Sequence, residues 1–500
     1  METPSRRIYN LRSAHRTATP PLPLRKRVSG FSNDGKAQKR KRTQQSIGPA
    51  FTSPDPVNPP RNAQIEEQRV FPSLTKRLSD LQEKPYGRFG RLPTDVIFQI
   101  MHRTPYHLLG SMAMTSNAWM EVVYAYVGSG SFRVRCLSDI TNVANHVMES
   151  NRLSRDPFYS MGKLVRRMTF KHDWHARLAL LQSFLEMFIE VGVSEFGLGR
   201  LIRAFAECSD EDIVTDQIDD LVTMVLSVVP TLRIDLDNVI KRADEDRQLG
   251  GLENLNILQT EFETRTRTIA LFLSNGSGDP SFGLNKFFLS SLMKVFKIRH
   301  DSLPTSLFYL LFAPTTIYQN SEVVNWHRLS QISVSSLDDA QELKPLSKAL
   351  YALLLCRNLK NALPWTRNTI FNLMEEVTTY PSPWSMNTFV SLQVLEPELV
   401  PIGVIARMHR NHEDEAGDMI CTMKMLLFRW EMDVIGVMER VMETIKTGLK
   451  TGQRRSLFDR CWEWHQKNID DLRRRVGRFS DIRAEIESQI EVMPVLVKLL

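Results

Sequence analysis

From about Asp156 onward, apolar residues recur every three or four positions, and this spacing limits the possible folds more than any other feature of the chain. Leu178, Leu181, Leu185 and Phe188, with Phe184 beside them, form one stripe, while Gln182, Glu186 and Glu190 take other positions. A segment patterned this way is a helix that buries one face against its neighbours. Similar stripes run through residues 221–229, 287–296, 307–312, 346–355, 423–442 and 457–472, punctuated by Pro230, Pro304, Pro314, Pro345, Pro364 and Pro381 as helix boundaries. No repeat of fixed period is visible, which argues against a propeller or a leucine-rich horseshoe. The chain is expected to be all-α and irregular, and 42% hydrophobic content over 500 residues is enough for a substantial core.

Residues 1–85 break the pattern. They are rich in Pro, Ser, Thr, Arg and Lys and poor in large apolar groups, so burial cannot offset their ordering entropy and a disordered tail is expected. Residues 1–61 hold 13 Lys and Arg against 3 acids, and the rest of the chain holds 51 against 54. The net charge of +7 therefore belongs to the tail. Lys26 and Arg27 are followed, after a spacer of eleven residues, by Lys39, Arg40, Lys41 and Arg42, a spacing like that of a bipartite nuclear import signal. This reading implies an import receptor as partner and the nucleus as location. The alternatives are a solvated basic tail and a weak, salt-sensitive attraction to nucleic-acid phosphates.

Few signs of covalent chemistry are present. Cys136, Cys208, Cys356, Cys421 and Cys461 are scattered and odd in number, without CxxC spacing, as expected of reduced thiols inside a cell. A ring-type ligase would need clustered Cys and His for zinc. His172 with His175, and His409 with His412, are spaced for one helical face but lack a third ligand. No metal or other cofactor is expected. Neither a secretory signal nor an apolar run near the roughly 20 residues that span a bilayer is apparent, so no membrane contact is expected. Trp462 and Trp464, two apart, cannot share a helical face; core packing is the simpler role, with one ring left for a partner as the alternative. The run Arg473, Arg474, Arg475 and Arg478, partly neutralised by Asp470 and Asp471, reads as a solvated face.

Residues 88–123 carry a more specific pattern. Leu92 and Pro93 open it, Asp95 follows, and Val96, Ile97, Ile100 and Met101 recur with helical spacing. Pro93 suits a first helical turn, and Pro105 ends that helix near Arg103 or Thr104. Leu108, Leu109, Met112 and Met114 form a second cluster, Ser116 a polar break, and Ala118, Trp119, Val122 and Val123 a third. Gly128, Ser129 and Gly130 mark the next break.

This stretch resembles the F-box in its Leu-Pro opening, acidic residue, paired aliphatics, second aliphatic cluster and Ser shortly before Trp. It departs from the pattern where Arg103 and Thr104 replace an aliphatic residue and Met114 replaces the common Val. The segments SMGKLVRRMTF, SLFYLLFAPTT, KPLSKALYALLLCR and YPSPWSMNTFV, in that order, are similar to the F-box only protein 47 family, which includes the nematode progression-of-meiosis protein. The expected layout is a disordered basic tail over 1–85, a short three-helix F-box over 86–128 and an irregular multi-helix substrate-recruiting domain over 150–500.

The resemblance implies that Leu92, Pro93, Ile97, Ile100, Leu108, Leu109, Met114 and Trp119 present the surface received by a Skp-family adaptor. The chain would then be a non-catalytic substrate-recognition subunit of a Skp-cullin-F-box ubiquitin ligase, with a cullin and a protein substrate as further partners. The same resemblance implies a germline nuclear role in meiotic prophase progression, homologue pairing and synapsis. The competing reading is a chromatin-associated scaffold, independent of any ligase, in which these helices are merely packed inside.

Overall fold

The computed structural model describes residue 89 and residues 92–144, 156–207, 215–245, 255–273, 285–297, 305–326, 328–356, 365–379, 383–474 and 479–500. The basic tail with Lys26, Arg27, Lys39, Arg40, Lys41 and Arg42 lies outside them, as do Cys208, Arg475 and Arg478.

The described residues are almost wholly helical, as the apolar spacing predicts. α1 (Thr94–Arg103), α2 (Tyr106–Thr115), α3 (Asn117–Val127) and α4 (Gly130–Ala144) come first, then α5 (Pro157–Met168), α6 (Trp174–Glu190) and α7 (Glu195–Ala206). Local chemistry sets several starts. Ser116 Oγ accepts from the Trp119 amide, Asp156 from Phe158 and Asp173 from Ala176, each satisfying a donor that the first turn leaves open. Pro93 takes the capping position of α1, one residue before the first-turn place expected for it.

α2 and α7 both pack on α5. Gly162 permits the close crossing of α5 with α7, because a Cβ there would overlap the Leu201 carbonyl. Gly110 lies against Leu164 and Arg167 of α5. The first helices therefore share one continuous buried core with the body.

α8 (Thr215–Val228), α9 (Pro230–Glu245) and α10 (Leu255–Thr268) follow, and α10 runs into a π-helical turn, Ile269–Leu273. α11 (Asn285–Lys297) and α12 (Thr305–Phe312) precede a hairpin of β1 (Thr315–Tyr318) and β2 (Ser321–Val324), which the helical reading did not anticipate. The strands pair antiparallel, with Tyr318 opposite Ser321. Gln319 and Asn320 between them have φ of 47° and 64°, the left-handed pair that a two-residue hairpin turn requires. Tyr309 stacks on Trp326 at 5.4 Å, and the Trp326 indole donates to Glu261 Oε2 of α10 at 2.8 Å, which fixes the hairpin's exit.

The last third is ordered in two layers: α13 (Arg328–Gln331) and α14 (Leu337–Ala340) lead into α15 (Lys344–Leu355), α16 (Arg367–Thr379), α17 (Met386–Val394), α18 (Val400–His409), α19 (Glu413–Arg429), α20 (Val434–Gly448), α21 (Thr451–Arg474) and α22 (Phe479–Val497). From α17 to α22 each helix packs on the one two before it, so α15, α17, α19 and α21 form one layer and α16, α18, α20 and α22 the other. The regularity is in the stacking of helices and not in a sequence period, which is why no repeat is legible in the residues. The apolar run 423–442 is not one helix: α19 ends at Arg429, Glu431 adopts φ 53°, and Asp433 caps α20 through the Gly436 amide at 2.9 Å.

Candidate functional site

α1 is amphipathic with two apolar sides. Met101 faces inward and is fully buried, and Phe98 packs edge-on against Tyr126 at 5.5 Å, which in turn meets Phe132 of α4 at 5.4 Å. Val96 and Ile100, one turn apart, face outward at 38% and 42% exposure. Pro93 is exposed one turn earlier, and Leu92 and Ile97 are half-buried. On α2, Leu108 is 45% exposed and Met112 half-buried one turn later. Trp119 is half-buried, with Phe89 edge-on at 5.7 Å.

The structure separates two residues from this set. Leu109 has no exposed surface; it lies about 100° around α2 from Leu108, on the side that packs against α5, and so belongs to the core and not to a contact surface. Met114 is 41% exposed, but six residues beyond Leu108 places it about 120° away around the helix. Val96 and Phe89 are exposed apolar groups that the sequence-based site omitted.

At Arg103 and Thr104 the end of α1 is held by a residue from α4. Arg135 donates from Nη1 to the Met101 carbonyl and from Nη2 to the Thr104 carbonyl, both at 2.8 Å. It thereby closes the end of α1, where unsatisfied carbonyls favour a cation. Its guanidinium also lies 4.2 Å from the centre of the Tyr106 ring, and the Tyr106 hydroxyl donates to Asp139 Oδ2. The end of α1 is thus closed by a polar clamp, which had no sequence signal because Arg135 is more than thirty residues from the carbonyls it holds.

Nucleophilic chemistry finds little support. Cys136, Cys356, Cys421 and Cys461 are buried and free. Burial, first of all, pushes the Cys136 thiol up to about 12 and the Cys356 thiol to about 11. The neighbouring Cys461 side chain, with burial, holds the Cys421 thiol well above the usual range. These are settings for packing and not for thiolate attack. Among the described residues no group of three His, Cys, Asp or Glu side chains is placed to hold a metal ion. His172 and His175 are exposed, and His412 approaches Glu415 at 3.5 Å. No single described helix is long and apolar enough to cross a membrane. Trp464 is buried and Trp462 is 40% exposed, so the two rings do lie on different faces.

Residues 253–500 match the family model described as FBXO47, ARM repeats. The match takes in the two-layer stack of α15 to α22, leaves α1 to α3 outside it, and supports a relationship of this part of the chain to the FBXO47 family. No curated protein matches the chain significantly.

Proposed function

We propose that this chain is the substrate-recognition subunit of a Skp-cullin-F-box ubiquitin ligase, with α1 to α3 received by the Skp-family adaptor. One observation carries the reading: α1 buries Met101 and α2 buries Tyr106, Leu109 and Ala113, yet Val96, Ile100 and Leu108 stay 38–45% exposed on the outside. Isolated exposed aliphatics are common, but three on two consecutive short helices, with exposed Pro93 and half-buried Leu92 and Ile97, have the composition of a contact surface. The match to the FBXO47 family supports the same reading. The helical body then holds a substrate beside the ubiquitin-loaded enzyme, and acceleration comes from proximity. The likeness of sequence segments to the family that includes the progression-of-meiosis protein extends the proposal to germline nuclei, meiotic prophase progression, homologue pairing and synapsis, with the basic tail as the import signal.

The test is co-purification of adaptor and cullin with the full chain. Changing Leu92 and Pro93 together to Ala removes two anchors and is expected to weaken adaptor binding by about 1–3 kcal/mol. Ile100→Asp, at an exposed position, is expected to abolish recovery without disturbing the core. Undiminished recovery with both variants would sink the ligase reading. The scaffold reading gains from the continuous packing of α2 on α5; it is favoured if tail deletion abolishes chromosome association while both F-box variants act as the unaltered chain.

A further inference from the structure

Along α22, Ile486, Ile490, Met493 and Val497 follow one another at intervals of four, three and four residues. That is the spacing of a coiled-coil seam, whose side chains take the knobs of a facing helix. The seam is additional to the face α22 already uses, because Glu485, Ser488, Gln489, Val492, Val495 and Leu496 are the residues buried against the body. Ile490 remains 67% exposed and Val497 49%. With Trp462 of α21 as its far wall, the seam forms a groove of about 570 Å3.

The floor of the groove is polar. His465 and Gln489 line it, and both are more than nine-tenths buried. Gln489 Oε1 accepts from Lys424 at 2.6 Å, but its amide nitrogen reaches only the Met493 sulfur at 4.0 Å. His465 Nδ1 faces Lys424 Nζ at 3.2 Å and Glu485 Oε1 at 2.9 Å, which leaves Nε2 as the ring's other polar edge. An apolar groove with a few convergent polar groups on its floor is the usual form of a binding site. Glu491 on α22 and Asp459 on α21 are exposed acids, one on each helix beside the seam, while Lys467 lies over the Trp464 ring at 3.9 Å. Arg483 and Arg460 are already held by Glu487 and Glu463 at 2.6 and 2.5 Å.

We infer that the groove between α21 and α22 is a docking site for an amphipathic helix of a partner protein. The partner helix carries aliphatic residues at four-three spacing, an amide side chain among them that accepts from the Gln489 amide, and Lys or Arg along both edges of its seam. Its position continues the order in which each helix of the stack packs on an earlier one. The site lies on helices other than α1 to α3 and does not depend on the adaptor reading.

The probe is a labelled synthetic helix of about 20 residues, with Leu at four-three spacing, one central Asn in the seam and Lys at the edges, titrated by fluorescence anisotropy against the full chain. Saturable binding is expected, weakened about tenfold or more by Ile490→Asp and by Val497→Asp, each at an exposed position. A probe with Glu in place of the edge Lys should bind several-fold more weakly, with the gap closing as salt rises. Equal binding by the native chain and both variants overturns the inference, as does no saturable binding up to the probe's solubility limit. A concentration-dependent dimer abolished by Ile490→Asp would assign the face to a second copy of this chain and also overturn it. Adaptor recovery with Ile490→Asp is expected to match the native chain, so failure here is distinct from failure of the ligase reading.

Discussion

Lys424 of α19 is 1% exposed and donates to Glu485 Oε1 at 2.7 Å and Gln489 Oε1 at 2.6 Å, both on α22, with His465 of α21 beside it. One ammonium thus joins three helices. Lys424→Met keeps the length of the side chain and removes the charge, leaving the Glu485 carboxylate, itself 2% exposed, with only His465. Breaking a buried pair from one side is worth about 3–5 kcal/mol, whereas exchanging both members for apolar groups is often close to neutral. Unfolding of a stacked array is not expected to be all-or-none, so a single melting temperature is a poor readout. Hydrogen exchange of the α22 amides isolates the effect. The loss should speed their exchange by roughly two to four orders of magnitude, while the amides of α5 and α7 stay as they are. Lys424→Met with Glu485→Leu should recover much of the protection. Unchanged α22 protection in the single variant, or no recovery in the double, would refute the assignment of α22 docking to this cluster.

Acid should undo the same contact. Burial alone would raise the Glu485 carboxyl, but the His465 hydrogen bond and the Lys424 charge bring it below its ordinary value of 4.5. A depressed carboxylate contributes stability that is fully present above its unfolded pKa and is lost as pH falls through the folded one. Protection of α22 should therefore be level above about pH 4.5 and decline below it, and Glu485→Gln should flatten that decline in exchange measurements corrected for intrinsic rates. At the other site, Arg135→Met removes both hydrogen bonds that close α1 and should destabilise that end by about 1–3 kcal/mol, seen as faster exchange in α1 and weaker adaptor capture. Arg135→Lys keeps the charge without the fork and should restore only part of either.

Much of the fold was legible because a helix that buries one face writes a 3.6-residue period into the sequence. The stripes at 287–296, 307–312, 346–355 and 457–472 fall on helices, that at 221–229 ends one residue past α8, and Pro230 and Pro345 stand at helix starts. What failed did so for physical reasons. Residues 423–442 are apolar on both sides of a break, so the left-handed turn at Glu431 has no hydropathy signature. The hairpin is four residues a strand, too short to show alternation against a helical background. On α2, Leu108, Leu109, Met112 and Met114 surround most of the helix, and composition could not say which side met α5. Lys424, His465 and Glu485 are 41 and 61 residues apart along the pairs that join them, and no local pattern announces a contact of that range.

The clamp by Arg135 bears on how the F-box-like helices divide their labour. If the end of α1 needed an aliphatic residue to hold it, the exposed Val96 and Ile100 would be the groups available, and the proposed docking of an adaptor would compete with folding. Arg135 removes that competition by tying the Met101 and Thr104 carbonyls to α4, so α1 can keep its outer face apolar and unengaged. In the stack the logic is the same: Lys424 secures α22 through polar groups in its buried face, which frees the Ile486 to Val497 seam for a second helix. A stacked array passes strain mainly between neighbours. Loosening α22 through Lys424 should therefore leave adaptor capture by α1 intact, and loosening α1 through Arg135 should leave helix capture at α22 intact. A loss of both from either change would show that the two surfaces are one cooperative unit and would contradict the nearest-neighbour packing from α15 to α22.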